Sequence, residues 1–588
     1  MFGDDDRDIL ILYATETGTA QDAADRIARH CRRGHLRSRV LSVDQYTPAD
    51  LISENIVIFV ISTTGSGLEP RSMKEMWTML LRSDLPNDLF EDLQFAVFGL
   101  GDTAYEKFCW PAKRLFRRLK SLGAEEICDL GEGDEQHHLG LNGALDPWIK
   151  NLFEALLQVL PLPPGLEAHP ADETPPARVS ISAASPSPLV DDSLNGAKGY
   201  HDCVVTCNDR ITAEDWYQDV RHLEFTFRED IEYSPGDIAV IRPKANPDEV
   251  DEFLTSMDWG DISDGLFNIT HVQRDQSLPE HLPPKSSLRE VFTRYLDFNA
   301  VPRRSFFQYL RYFTEDTMEI ERLNEFLSDS GADDLYEYCY QVRRTIREVL
   351  SEFRGVKIPK EYIFDVFPPL RPREFSIASA IKKHPRQIHL CVAIVKYRTK
   401  LRVPRRGVCS KYLSALKPGD SIKIGLKEGF IKLPSDRSTP VICVGPGTGI
   451  APMRAVLEER IFHQSYNNTL YFGCRSANKD QHYRIEWEEY KALEQLTYRV
   501  ACSRDVPEGV KRTYVQALIE EDGERIWELL EQQKAWVLIS GSSNKMPTAV
   551  KEALRLCAEE KGKKTASESA EYVRMLERTG RLIEECWS

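Results

Sequence analysis

The chain has no run of apolar residues long enough to cross a bilayer. Stretches such as Ile56 to Ile61 fall far short of the roughly 20 residues that a spanning helix needs. Basic residues are in deficit: 76 Lys and Arg stand against 92 Asp and Glu, for a formal net charge of -16. That balance excludes bulk nucleic-acid binding, which wants a basic face, but leaves room for a local basic pocket. The 13 cysteines include no Cys-x-x-Cys pair, and the nearest two, Cys203 and Cys207, are separated by three residues. Dispersed thiols predict buried structural cysteines in a reducing compartment, and no metal site is expected. The opening residues Met1 to Asp6 carry neither a cationic nor an apolar segment, so neither a secretory leader nor a membrane anchor is expected, and the location expected is cytoplasmic.

What is present is a chain of 588 residues, 41% apolar and 29% charged, a composition that suits a soluble protein of about three to five domains. Short apolar runs at Asp8–Tyr13, Asn55–Ser62 and Gln94–Gly99 alternate with helical patterns such as Thr19–Cys31. Each run ends at a polar loop containing glycine. This pattern predicts a doubly wound parallel sheet over 6–160, with its ligand edge at the carboxyl ends of the strands. Residues 161–198 are rich in proline, serine and alanine and read as a flexible linker. Short alternating strands with turn signals over about 200–243 and 371–433 predict an antiparallel β-barrel domain spanning 199–435. It is interrupted at about 246–366 by an insertion expected to be all-helical. Strand–helix alternation resumes over 436–588, a second doubly wound domain.

The chemistry is carried by loops. Thr15, Glu16, Thr17, Gly18, Thr19 and Ala20 place hydroxyls and a glycine at a helix start, an anion site without a Walker lysine. Such a loop suits a phosphate monoester held by hydrogen bonds alone. A second loop, Ser62, Thr63, Thr64 and Gly65, follows the next strand. A third runs through Leu100, Gly101, Asp102, Thr103, Ala104, Tyr105, Glu106, Lys107, Phe108 and Cys109. Two glycine loops and a tyrosine make a slot for a planar ring, and the set resembles flavodoxin, where such loops hold FMN. Asp134 resembles that family's acidic loop near the ring.

Arg373, Glu374, Phe375 and Ser376 resemble the Arg-x-Tyr-Ser signature of ferredoxin-reductase FAD domains, with Phe in place of Tyr. The resemblance implies an arginine on the FAD pyrophosphate, an aromatic beside the flavin and a serine near flavin N5. Gly407, Val408, Cys409 and Ser410 are similar to that family's second FAD loop. Cys391, Val392 and Ala393 fall on its flavin-lining strand, and Arg343 resembles an FAD-contacting arginine. Further on, Val441–Pro452 is not the Gly-x-Gly-x-x-Gly dehydrogenase fingerprint. Its Gly447, Thr448 and Gly449 instead resemble the glycine loop of ferredoxin-reductase pyridine-nucleotide domains, and Arg475 follows the next strand as it does there. Ser503 and Arg504, followed by Arg512, Thr513, Tyr514, Val515 and Gln516, offer cations and hydroxyls where an NAD site would offer an acid. This favours NADPH with its 2′-phosphate. Ser540 stands where many relatives carry a cysteine at the hydride site, and Ser542 follows it.

In this order the modules resemble the cytochrome P450 reductase family of diflavin reductases. The resemblance implies FMN, FAD and NADPH as cofactors, with electrons passing from NADPH to FAD to FMN and on to a one-electron acceptor. It implies that Trp587 stacks on the flavin as a gate, with Glu585 as the acid beside it and Ser376 as the third catalytic residue. Among members, the soluble start and compact length most resemble the enzyme of cytosolic iron–sulfur cluster assembly, whose acceptor is the iron–sulfur protein anamorsin. A soluble reductase for a haem or cobalamin protein stays open as an alternative.

Overall fold

The computed structural model describes residues 7–64, 67–105, 107–170, 173–185, 194–328, 330–505 and 512–587. The chain divides into two compact units. One comprises Met1–Ser193 and Ala245–Arg371, the other Leu194–Lys244 and Pro372–Ser588. Among the described residues, no helix is long and apolar enough to cross a membrane.

The first unit opens with a parallel sheet of β1 (Asp8–Ala14), β2 (Arg37–Ser42), β3 (Ile56–Ser62), β4 (Gln94–Gly101), β5 (Glu125–Glu126) and β6 (Gly131–Asp134). The order is β2-β1-β3-β4-β5, with β6 pairing the far end of β4. β1, β3 and β4 are buried nearly end to end because helices cover both faces. One cover is α1 (Thr19–Arg33), whose alanines and Ile27 pack on Ile9, Ile58 and Val60. The order reverses between β1 and β3, the switch point where open α/β sheets bind ligands.

The same unit holds the segment between the barrel strands. Helices such as Pro247–Ser256, Thr317–Leu327 and Ile346–Glu352 surround an aromatic core in which Phe253 stacks on Phe298 and meets Phe292 and Phe367 edge-on. This part is not all-helical. Phe267–His271 pairs antiparallel with Lys285–Ser286 on one side and with Val179–Ala183 on the other. The stretch expected to be a flexible linker thus contributes a strand, anchored by buried Val179.

The second unit contains a nearly closed antiparallel barrel. Its strand order is Arg373–Ser376, Ile238–Ile241, Ser421–Lys427, Tyr200–Arg210, Val220–Phe227, Gln387–Ala393. A five-stranded parallel sheet follows, ordered Thr497–Cys502, Asn468–Cys474, Val441–Val444, Trp536–Ser542, Leu582–Trp587. A buried ionic cluster joins the two parts. Helix Ile450–Phe462 sends Arg454 to the Ala378 carbonyl at 2.5 Å and to Glu486 at 2.9 Å, while Glu458 accepts from the Ala380 amide at 2.9 Å. Glu458 is held down to about 2 despite its burial, by His384, Arg454 and Lys383.

Candidate active site

Three loops meet at the switch point of the first sheet. Gly18 caps α1 in a left-handed conformation (φ 88°), which lets its amide turn back to donate to Thr15 Oγ1 at 2.8 Å. Thr17 and Thr19 bring their hydroxyls within 3.4 Å of each other on the same loop, and Ala20 is buried beneath it. Glu16 accepts from the Arg71 amide at 2.8 Å. The second loop is fixed by Thr63, whose amide donates to Leu100 O, while Ser62 Oγ donates to Ala14 O. Thr63 Oγ1 is buried and has no hydrogen-bond partner among the described residues, so a ligand oxygen would satisfy it. Gly65 and Glu106 lie outside the described residues.

The third loop is braced from within. Asp134 accepts from the Thr103 amide and hydroxyl at 3.0 and 2.7 Å, and Asp102 accepts from the Ala104 amide at 2.7 Å. Those donors hold the Asp134 carboxyl below its usual range, against the upward push of desolvation. Tyr105 is half-buried; Lys107 lies against Gly67, and Lys113 sits 5.0 Å over the Phe108 ring. Buried Cys109 starts the next helix at a positive φ of 49°. Asp134 therefore shapes the loop through Thr103. Sequence reasoning missed Arg371 here. A Cβ built on Gly18 would stand 2.4 Å from its guanidinium carbon, so an arginine more than 350 residues along the chain abuts a loop expected to work without a cation. The Arg371-Pro372-Arg373 string was the available signal.

In the second unit, Arg373 and Glu374 are exposed at the start of their strand, Glu374 accepting from Lys427 at 2.8 Å, and Phe375 and Ser376 are half-buried. Ser410 Oγ accepts from the Val395 amide and donates to Gly407 O. Gly407 itself starts the helix Val408–Ala415 without a side-chain cap, which leaves the first-turn amides for an anion. Cys391 and Val392 are buried and Ala393 half-buried on the neighbouring strand, while burial pushes the thiols of Cys391 and Cys409 up to about 12. Arg343 belongs to the first unit, exposed and at φ 52°.

The glycine loop Gly447–Gly449 forms a helical turn leading into Ile450–Phe462. Gly449 packs so closely on the next strand that a Cβ there would meet Ser540 O at 2.1 Å, and Thr448 is half-buried between the two glycines. Arg475 and Arg504 hold their guanidinium carbons 5.3 and 5.8 Å from the ring centre of Tyr217, an exposed residue from the barrel that sequence reasoning did not single out. An aromatic next to Trp216 carried no signal of two arginines 258 and 287 positions onward. Ser503 donates its amide and hydroxyl to Cys474 O at 3.0 and 3.3 Å. Arg512 and Tyr514 are exposed, Thr513 and Gln516 half-buried, and Val515 is buried at the start of its helix.

The C-terminal strand completes this unit. Glu585, only 8% exposed, accepts from Ser376 Oγ at 2.5 Å. Its register partner on the adjacent strand is Ser540, fully buried, whose hydroxyl has no partner among the described residues. Trp587, 40% exposed, pairs with Ser542, and its carbonyl accepts from the Ser543 amide.

Comparison with known proteins gives this geometry its context. Residues 11–148 match the flavodoxin family, 201–412 the FAD binding domain family and 443–552 the oxidoreductase NAD-binding domain family. The chain is 38% identical to NADPH-dependent diflavin oxidoreductase 1 of Danio rerio, with 99% of each chain covered. The Xenopus laevis protein of that name is 36% identical over 99% of this chain and all of its own length. The Cryptococcus neoformans protein is 39% identical over 98% of this chain and all of its own. The chain belongs to the NADPH-dependent diflavin oxidoreductase 1 family. It is accordingly an oxidoreductase that works with NADPH, FAD and FMN. The residues at hand suit those groups: an orphan hydroxyl and a helix start at the FMN loops, uncapped amides at the FAD loop, and two arginines with hydroxyls at the nucleotide loop.

Proposed function

We propose that this diflavin reductase delivers electrons to an iron–sulfur protein of the anamorsin type, in cytosolic iron–sulfur cluster assembly. The acceptor and the cytoplasmic setting rest on the resemblance in the sequence. The hydride-transfer site rests on one observation above the rest, the 2.5 Å hydrogen bond from Ser376 to Glu585. When bound, the nicotinamide and the two flavins supply a two-electron hydride step and the one-electron steps that follow.

The protein's own groups orient and shield. Glu585 fixes the direction of the Ser376 O–H, so the serine lone pairs face the pocket as acceptors. Buried Ser540 holds a second hydroxyl beside Glu585. Trp587 closes the end of the same strand as a movable aromatic cover. Thr15, Thr17, Thr19 and Thr63, with the first amides of α1, bind the FMN phosphate, while Arg373 and the Gly407 helix start bind the FAD pyrophosphate. Arg475, Ser503 and Arg504 read the 2′-phosphate, with Tyr217 spacing the two guanidinium groups.

The test is a comparison of acceptors. The purified full chain, given NADPH, is expected to reduce an anamorsin-type iron–sulfur protein at least about tenfold faster than cytochrome b5 or methionine synthase, a gap near 1.4 kcal/mol in barrier. Equal or faster reduction of either haem or cobalamin protein would replace this acceptor with the alternative.

A further inference from the structure

Two of the cysteines face each other beside the nucleotide loops. Cys474 ends the strand Asn468–Cys474 and Cys502 ends Thr497–Cys502. The strands are parallel neighbours, and the two residues are register partners with sulfurs 3.5 Å apart. Both are free thiols; Cys474 is buried and Cys502 partly exposed. Directly paired residues in a sheet have backbones about 4.8 Å apart. A disulfide tolerates Cα separations of roughly 4.4–6.8 Å and needs the sulfurs to close to about 2.05 Å.

We propose that Cys474 and Cys502 form a reversible redox site, oxidised by small disulfides of the glutathione type to an intrachain disulfide that weakens NADPH binding. The chemistry balances by thiol–disulfide exchange. The Cys502 thiolate attacks one sulfur of the small disulfide, forms a mixed disulfide and releases one small thiol. Cys474 then gives up its proton, attacks the Cys502 sulfur and expels the second small thiol. The two cysteine sulfurs lose two electrons and the small disulfide gains them. The order follows from access, because Cys502 is the more accessible partner. Burial, and then the neighbouring Cys502, push the Cys474 thiol above its ordinary range, so Cys474 is the slower first nucleophile and attacks only once the mixed disulfide holds a target beside it.

The link to the nucleotide is the backbone. Arg475 is the residue after Cys474, and Ser503 and Arg504 follow Cys502. Ser503 donates its amide to Cys474 O, and Arg504 donates its own to Arg475 O at 2.8 Å. Drawing the sulfurs together pinches the strand ends that carry both guanidinium groups away from their positions over Tyr217. The coupling rests on the reading of Arg475, Ser503 and Arg504 as 2′-phosphate contacts.

The full-length holoenzyme is equilibrated in buffers of reduced and oxidised glutathione, digested under non-reducing conditions and mapped by mass spectrometry. Affinity for 2′,5′-ADP is measured on the same samples by calorimetry. We expect one cross-linked peptide joining Cys474 to Cys502, reversal by dithiothreitol and an affinity about tenfold or more lower in the oxidised sample. Cys502→Ser, and separately Cys474→Ser, should form no cross-link and hold the reduced-state affinity under both poises. No cross-link in the most oxidising buffer, a cross-link without loss of affinity, or the same loss in both serine variants would each overturn the proposal. If the reduced protein bound 2′,5′-ADP no better than 5′-AMP, the reading of Arg475 and Arg504 would fall and the coupling with it, while the cross-link would stand as a separate result.

Discussion

A single left-handed residue starts α1. Gly18 combines φ 88° with contact against the Arg371 guanidinium, so an alanine there suffers both backbone strain and a collision. Gly18→Ala should cost about 1–2 kcal/mol from the backbone alone, and the loop can relieve that strain only by loosening. The expected outcome is faster FMN release on dilution, followed by the rise in free-flavin fluorescence. An unaltered release rate would mean that the loop does not depend on this conformation. At this scale the sequence was legible wherever function sits in consecutive residues, as in Thr15–Ala20 or Arg373–Ser376. Ser376 and Glu585 were each picked out, but their 2.5 Å bond spans 209 positions and no local pattern encodes it. Arg371 and Tyr217 were missed for the same reason: each acquires its setting only when distant segments fold together.

Among the elements, the strand Val179–Ala183 was the hardest to read. Prolines on both sides made the composition look like linker, and only Val179 of its five residues is buried. What holds the segment is the arginine just before it. Arg178 reaches Asp365 at 3.0 Å, Asp25 of α1 at 3.1 Å and the Ser277 carbonyl at 2.7 Å. All three charged side chains are nearly out of water. Burial raises the Asp365 carboxyl above its ordinary value even with Arg178 beside it. Removing the arginine strands two carboxylates in the interior, and breaking buried pairs in this way typically costs about 3–5 kcal/mol. Arg178→Met should therefore lower the first unit's unfolding transition by about that much in urea titrations, and adding Asp365→Asn should restore part of it. A shift under about 0.5 kcal/mol would mean water reaches the triad. The all-helical expectation for 246–366 failed on related grounds. Phe267–His271 alternates, with Phe267 and Ile269 inward, but it is only five residues long and one of its two partners, Val179–Ala183, lies outside the segment.

For the whole molecule, buried histidines set the acid limit. Burial pushes His30 down to about 4 in the first unit and His482 to about 4 in the second, where burial and then Arg454 take His389 to about 2. Unfolded imidazoles titrate near 6.5. Between pH 6.5 and about 4 the unfolded chain binds protons the folded chain refuses, so stability is complete above 6.5 and falls as pH drops. The slope is up to about 1.4 kcal/mol per pH unit for each histidine. Glu458, an acid held low, acts in the same sense, but its contribution is intact above its unfolded value near 4.5 and is lost only as pH falls below it, outside the upper part of this window. Calorimetry from pH 7.5 to 5 should show the second unit's transition dropping more steeply than the first's, and His482→Gln should flatten it. Parallel decline of both transitions would count against this assignment.

The division into units also bears on how the protein is made. Among the described residues, Ile238–Ile241 pairs only with Arg373–Ser376 and Ser421–Lys427, which leave the ribosome at least about 130 residues later. At ordinary synthesis rates of about 5–20 residues per second, that apolar strand waits on the order of ten seconds for its neighbours. The intervening segment meanwhile has its own core to build. A nascent chain stalled within that segment would present an unpaired β-edge, open to pairing with another chain until the later strands arrive.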